Sequence, residues 1–315
     1  MTECERIVRE GIVSEEFLKE ETRCDFFVDS TRKKIWAIQL DLARELTRVC
    51  NEINVKFFLH AGSLLGAVRH HGFIPWDDDF DVAMLREDYE KLLKHNTLFE
   101  HPYFLQTPHT DPNYAFSFAR IVNDKTTYCS EMFSYQGYHA GVCIDIFPVD
   151  PWIRSKGEAV YNEVAQLNRE NSTFMRMKNP NLDEDNQKRV AAWAKKDPVA
   201  VYDRIQALAS QFLKEDADSL ADGVVTVWKY GKDIYPANSF DKQVYVPFEG
   251  MELPISSRSH EILRALYGDY MIYPPLKKRG VWHSGVIINP DLPYSQVLKQ
   301  RIEEGNQTMT RRYLA

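Results

Sequence analysis

Four aspartates, Asp77, Asp78, Asp79 and Asp81, crowd into five positions of the stretch HAGSLLGAVRHHGFIPWDDDFDVAM, residues 60–84. Like charges packed together cost free energy unless a cation neutralises them. DFDVAML (79–85) alternates as a strand does, so the Asp79 and Asp81 carboxylates project to one face while Phe80 and Val82 point to a core. Two adjoining carboxylates in a partly buried place share a proton or hold a cation. Hard oxygen donors in a pair favour Mg²⁺ or Mn²⁺, with substrate phosphates completing the shell. Asp77 and Asp78 follow Pro75 and read as an approach turn, Asp78 facing water.

Upstream, Gly62 and Ser63 fall where a strand ends and a helix starts. Backbone N–H groups there can cradle a phosphate, glycine admitting close approach and Ser63 adding a hydroxyl. A third carboxylate is expected from GVCIDIFPVD (141–150). Asp145 sits there between Ile144 and Ile146, where it must meet a metal or an arginine such as Arg120. Asp150, after Pro148, reads as a turn cap. Arg69 and Arg120 lie in apolar surroundings and need anionic partners, either phosphates or these aspartates. PPLKKRGVWHS (274–284) adds Lys277, Arg279 and His283 as further candidates for substrate contact, against a solvated loop as the plain alternative.

These groups need a frame. Ile35, Ile38, Leu42, Leu46, Val49 and Ile53 recur at helical spacing, which predicts a long amphipathic helix from Ser30. VKFFL (55–59) reads as a buried strand, SLLGAVRHH as a helix ending at Gly72, and REDYEKLLKH as another helix. YFLQ, YAFSFARIV and GVCIDIFPVD read as further strands. Residues 156–222 change to an alanine-rich, charged helical texture, and mixed β pattern returns at VVTVW (224–228) and QVYVPFEG (243–250). The expected organisation is a core over 1–155, a helical insertion or lid over 156–222, and a C-terminal part over 223–315 that completes the core and the substrate site.

The 315 residues carry a net charge of −7, which argues against a nucleic-acid binder relying on bulk positive field. The five cysteines form no CxxC or CxxH pair, which predicts reduced thiols. No apolar run approaches the roughly 20 residues that span a bilayer, and the N-terminus lacks a signal pattern. The expectation is a soluble, cytoplasmic protein, with peripheral association at the inner membrane face compatible with it.

GSLLGAVRHHGFIPWDDDFDVAM resembles the signature of the LicD family, which includes fukutin and fukutin-related protein. GVCIDIFPVD and YGDYMIYPPLKKRGVWH resemble its later blocks, in order. The resemblance implies an α+β nucleotidyltransferase fold, a small mixed sheet flanked by helices. It also implies Mg²⁺- or Mn²⁺-dependent transfer of a phospho-alcohol, foremost phosphocholine from CDP-choline. The acceptor would be a sugar hydroxyl of a teichoic acid or lipooligosaccharide type glycan, free or lipid-linked, and CMP would be released. Animal relatives use CDP-ribitol. Carried over, Gly62 and Ser63 form the phosphate turn, Asp79 and Asp81 the metal pair and Asp145 the third carboxylate; Asp77 belongs to the same block. A choline head group would need ring faces, for which Tyr135, Tyr138, Trp152, Trp228, Tyr230 and Trp282 are candidates. Two other readings use the same residues: a nucleotidyltransferase releasing pyrophosphate, and a non-catalytic nucleotide- or glycan-binding protein.

Overall fold

Thr2 and Glu5 close a capping box over the first helix, α1 (Glu3–Arg9). The computed structural model describes residues 1–194, 196–222, 230–280 and 285–311. A small hairpin, β1 (Glu21–Arg23) with β2 (Phe26–Val28), leads to α2 (Ser30–Glu52), whose start is capped by the Asp29 carboxylate on the Arg32 amide. The expected apolar stripe of α2 is buried throughout, from Ile35 to Val49.

The chain then builds one mixed sheet. Strand β3 (Phe58–Leu59) runs into α3 (Ala61–His70), and β4 (Asp81–Leu85) into α4 (Arg86–Lys94). Next come β5 (Tyr103–Gln106), β6 (Ala119–Asn123), β7 (Thr127–Ser130) and β8 (Val142–Trp152). Three helices follow: α5 (Gly157–Phe174), α6 (Glu184–Trp193) and α7 (Pro198–Ala209). Strands β9 (Ser219–Ala221) and β10 (Ile234–Pro236) return to the sheet. The hairpin of β11 (Gln243–Phe248) and β12 (Met251–Ser256), then α8 (Ser259–Tyr267), β13 (Val286–Asn289), α9 (Tyr294–Val297) and α10 (Lys299–Met309), complete the described chain.

The sheet has seven strands. The long β8 is its axis: parallel to β4 on one side, and antiparallel to β6 and then β9 along its length. Strand β3 pairs antiparallel with β4, β5 with β6, and β10 with β9. This is the expected α+β arrangement. Val142, Ile144 and Ile146 of β8 point into the main core, which also holds α2, β4 and α3, while Cys143 and Asp145 take the opposite parity and stay partly open.

Three expected elements are shorter than their patterns. VKFFL pairs only at Phe58–Leu59. YAFSFARIV is a strand only from Ala119, because the rings of Tyr114, Phe116 and Phe118 leave the ladder to pack around the Arg120 guanidinium. DFDVAML begins as a strand at Asp81, where pairing with Asp145 starts, so Asp79 stands on the loop before it. VVTVW lies outside the described residues.

The helices α5 and α7 pack on Trp152, Val160, Val164 and Ile205, a core separate from the main one. An ion pair ties them to the sheet: Arg86 donates two hydrogen bonds of 2.6 and 2.7 Å to Asp150 and one of 2.7 Å to Gln206 of α7. Asp150 is therefore no turn cap. It is fully buried within β8, and burying it there requires its arginine. Among the described residues no helix is long and apolar enough to cross a membrane.

Candidate active site

A cavity of about 920 Å³ lies over β4 and β8, walled by the start of α3, by α5 and by the α8 end. The acidic cluster forms its floor. Gly62, Arg69, Asp77, Asp79, Asp81, Arg120 and Asp145 all line it, so residues from distant parts of the sequence meet at one place.

Sheet register does most of the positioning. Asp81 is the register partner of Asp145 on β8, and Arg120 is the partner of Asp145 from the other side. The Asp145 amide donates to the Phe80 carbonyl at 2.9 Å and the His60 amide donates to the Asp81 carbonyl at 3.0 Å, locking the loop, β8 and the helix start together. Ser63 is buried, and its hydroxyl accepts a 2.8 Å hydrogen bond from the Asp81 amide. Its observed work is to hold the acidic strand.

Gly62 has a matching role. A side chain there would place its Cβ 2.6 Å from an Asp77 carboxylate oxygen. Glycine thus lets the acidic loop lie directly on the helix start. Ala61, just before it, takes φ +44°, a left-handed conformation that costs an L-residue about 1–2 kcal/mol.

The electrostatics are those of crowded acids. Burial raises the Asp77 carboxyl well above the ordinary value, and Asp79, in hydrogen-bond contact with it, raises it further. Burial also raises Asp81, followed by the charges of Asp79, Asp145 and Asp77. Burial and the neighbouring like charges both disfavour the ionised form. Hard, adjoining oxygens of this kind fit Mg²⁺ or Mn²⁺ in donor type. Among the described residues, however, no three His, Cys, Asp or Glu side chains are arranged to hold a metal ion in this conformation.

Asp145 shows why. Arg120 donates to its two oxygens at 2.6 and 3.2 Å, which is the ion pair left open as an alternative by the sequence. Burial alone would lower the Arg120 pKa, but the Asp145 charge leaves it raised. Phe116 and Phe118 hold the guanidinium with ring centroids 5.0 and 5.3 Å away.

Asp78 is corrected outright. It does not face water: it is 3% exposed, and the Tyr128 hydroxyl donates to its carboxylate at 2.8 Å. The turn composition suggested solvent, but the neighbouring Trp76 is buried and draws the chain inward.

Arg69 lines the cavity, donates to the Tyr270 carbonyl at 2.7 Å and lies over the Tyr273 ring at 5.0 Å. Among the described residues it has no carboxylate partner, which leaves its charge for an anion. Arg279 instead donates to the carbonyls of Pro274 and Cys24 at 2.8 and 2.6 Å and lies over the ring of Trp76, a lining residue, without itself lining the cavity. Lys277 is exposed and also stands away from the lining. His283, Trp228 and Trp282 lie outside the described residues. Tyr135, Tyr138, Trp152 and Tyr230 do not line the cavity; Tyr138 and Trp152 are buried in satellite cores.

The sequence reading missed the far wall: His60, Asp222, Asp233, Tyr235 and, from α5, Asn171. Asn171 is 2% exposed and neither side-chain polar atom finds a partner among the described residues. A signal existed for His60 alone, a polar residue wedged between Leu59 and the Gly-Ser turn.

All five cysteines are free, Cys4, Cys50 and Cys129 as buried residues. Burial pushes the thiols of Cys4, Cys50 and Cys143 up to about 12, which makes them unreactive at neutral pH.

Residues 54–183 match the family described as LicD/FKTN/FKRP, nucleotidyltransferase domain. The chain is 27% identical over 233 residues to lipopolysaccharide cholinephosphotransferase LicD of Haemophilus influenzae, covering 72% of this chain and 86% of that protein. It is 44% identical over 48 residues to ribitol 5-phosphate transferase FKRP of Homo sapiens, 15% of this chain and 10% of that one. A similar short match, 43% over 47 residues, covers 15% of this chain and 18% of the uncharacterized protein RP689 of Rickettsia prowazekii. The matched stretch contains α3, the acidic loop, β4 and β8, so the part of the chain that carries the site is similar to the nucleotidyltransferase domain of the LicD/FKTN/FKRP family.

Proposed function

We propose that the protein transfers a phospho-alcohol head group, foremost phosphocholine from CDP-choline, to a sugar hydroxyl of a cell-surface glycan precursor, releasing CMP. One arrangement carries the reading: buried Asp81 and the half-buried Asp77 and Asp79 share a cavity with Arg69 and with the Arg120–Asp145 pair. Acids and arginines converging on one polyanion-sized space suit a nucleoside diphosphate ester and its cation. The activities for which the LicD and FKRP relatives are named support a phospho-head-group rather than a nucleotidyl product.

Asp79 and Asp81, with Asp77 beside them, would hold Mg²⁺ or Mn²⁺. When bound, the ion supplies neutralisation of the donor diphosphate. The remaining steps belong to the chain. Arg69 binds the diphosphate at the cavity mouth. Arg120 exchanges Asp145 for a phosphate oxygen as donor enters, and its ring collar keeps the guanidinium in place. Asp145, released, takes the proton of the acceptor hydroxyl. The hydroxyl oxygen bonds to the phosphorus distal to cytidine, the bond from that phosphorus to the bridging oxygen breaks, and CMP leaves with the electron pair. The α5 wall, with Arg169, Asn171 and Ser172 in the lining, is the surface that would meet the acceptor sugar.

The test is incubation of the purified protein with Mg²⁺ or Mn²⁺ and a panel of CDP-alcohols and sugar nucleotides. Slow CMP release from CDP-choline is the expected result. Pyrophosphate from a nucleoside triphosphate would establish nucleotidyl transfer instead, and binding with no turnover across several acceptors would establish a non-catalytic role.

A further inference from the structure

We infer that Asp222, Asp233 and Tyr235 form a subsite for an organic ammonium group, the cationic end of the donor's head group. The inference rests on the head-group-transfer reading above and goes beyond it by naming the residues that select the alcohol.

Asp222 follows β9 and Asp233 precedes β10, and the Asp222 amide donates to the Asp233 carbonyl at 3.1 Å. The two carboxylates therefore sit side by side at the base of this hairpin, both lining the cavity. Asp233 is 3% exposed, and neither of its carboxylate oxygens has a hydrogen-bond partner among the described residues. Tyr235, fully buried on the same wall, likewise has an unpartnered hydroxyl. Leaving such groups unpaired costs about 1–3 kcal/mol each, more for a charge. A ligand that enters this wall must offset that cost, and two adjacent acids call for a cation.

The surroundings choose between kinds of cation. The wall is aromatic: Phe118 and Phe147 pack with centroids 4.7 Å apart, and His60 meets Phe147 and Tyr235 at 6.1 Å each. Phe118, Phe147 and Tyr235 all line the cavity. A divalent ion keeps a tight water shell that ring faces cannot replace. A substituted ammonium is weakly hydrated, gains from ring faces and carboxylates together, and fills apolar volume. His60 Nε2, 3.5 Å from Asp222, anchors that carboxylate beside the catalytic floor, since His60 also bonds Asp81 through its backbone. The subsite thus adjoins the acidic cluster while remaining distinct from it.

Titration calorimetry with CDP-choline, CDP-glycerol and CMP, on wild type, Asp233→Asn and Asp233→Ser, tests the assignment. Wild type is expected to bind CDP-choline at least tenfold more tightly than CDP-glycerol. Both variants are expected to lose most of that ratio while CMP affinity holds, with circular dichroism reporting the fold. A wild-type ratio near one overturns the inference and leaves the head-group reading standing. So does a ratio that survives in the variants, or a loss of Mn²⁺ binding in them with the ratio intact. Wild type that binds no CDP-alcohol removes the head-group reading and this inference with it.

Discussion

Asp81 and Asp145 are register partners on the two parallel strands at the centre of the sheet. Neighbouring strands run about 4.8 Å apart, so the backbone fixes the two acids as neighbours whatever their side chains do. What can change is their direction, and Arg120 holds one of them aside. The exchange of partners proposed for Arg120 would therefore need side-chain rotation and no change of register.

Replacing Asp79 or Asp81 by Asn should lower CMP release by at least about a hundredfold, the scale of losing one group that stabilises developing charge. The fold should persist, because each change removes like-charge repulsion. Parallel measurement of turnover and thermal melting checks both parts; near-full turnover with Mg²⁺ present would refute the assignment.

Cation binding should be pH-dependent in a stated direction. Asp77 and Asp81 have raised pKa values and must lose protons before an ion can bind. The thermal stabilisation given by millimolar Mn²⁺ should grow as pH rises and fade as it falls toward 5. A shift equal at both ends of that range would contradict this.

Arg120→Met should destabilise the protein by on the order of 2–4 kcal/mol, because it leaves Asp145 partly buried and unpaired. Asp145→Asn should abolish turnover while costing less stability. Denaturant titration of both variants decides whether the ion pair is structural, catalytic or both.

Asp233 gives a stability prediction separate from binding. Burial first, then the Asp222 charge, raises its pKa from 3.8 to about 7. Between those values the native state binds more protons than the unfolded chain, so stability falls as pH rises through that window. Asp233→Asn should be more stable than wild type by about 4 kcal/mol above pH 7, and the difference should vanish below pH 4. An unchanged difference across that range would be the contrary result.

Gly62→Ala should cut activity about tenfold or more with little loss of stability. The added Cβ meets a side-chain carboxylate, Asp77, which can move, but moving it disturbs the acidic cluster. Turnover and melting temperature, measured together, separate this from general misfolding.

Much of the chemistry was legible because it is local. The DDDFD run and an aspartate between two isoleucines each state an unfavourable burial that needs a reason, and the Gly-Ser turn marks a helix start beside them. The long helix was legible from periodicity. What the sequence hid was pairing across distance. The choice of Asp145 between a metal and Arg120 depends on register in the sheet. The burial of Asp78 depends on Tyr128, fifty residues later. Asp222 and Asp233 flank a β-patterned stretch with no chemical signature, and they reach the cavity only because β9 rejoins β8 after three helices.

That return has a consequence for how such chains diversify. Trp152, where the chain leaves the sheet, is the register partner of Ser219, where it comes back, and the Asp218 amide and Ser219 hydroxyl both donate to the Trp152 carbonyl at 3.1 Å. Departure and re-entry thus share one clasp. The helices between them, including the α5 wall of the cavity, form a cassette that can change in sequence or length without re-registering a single strand, so that wall can be reshaped while the acidic floor stays as it is.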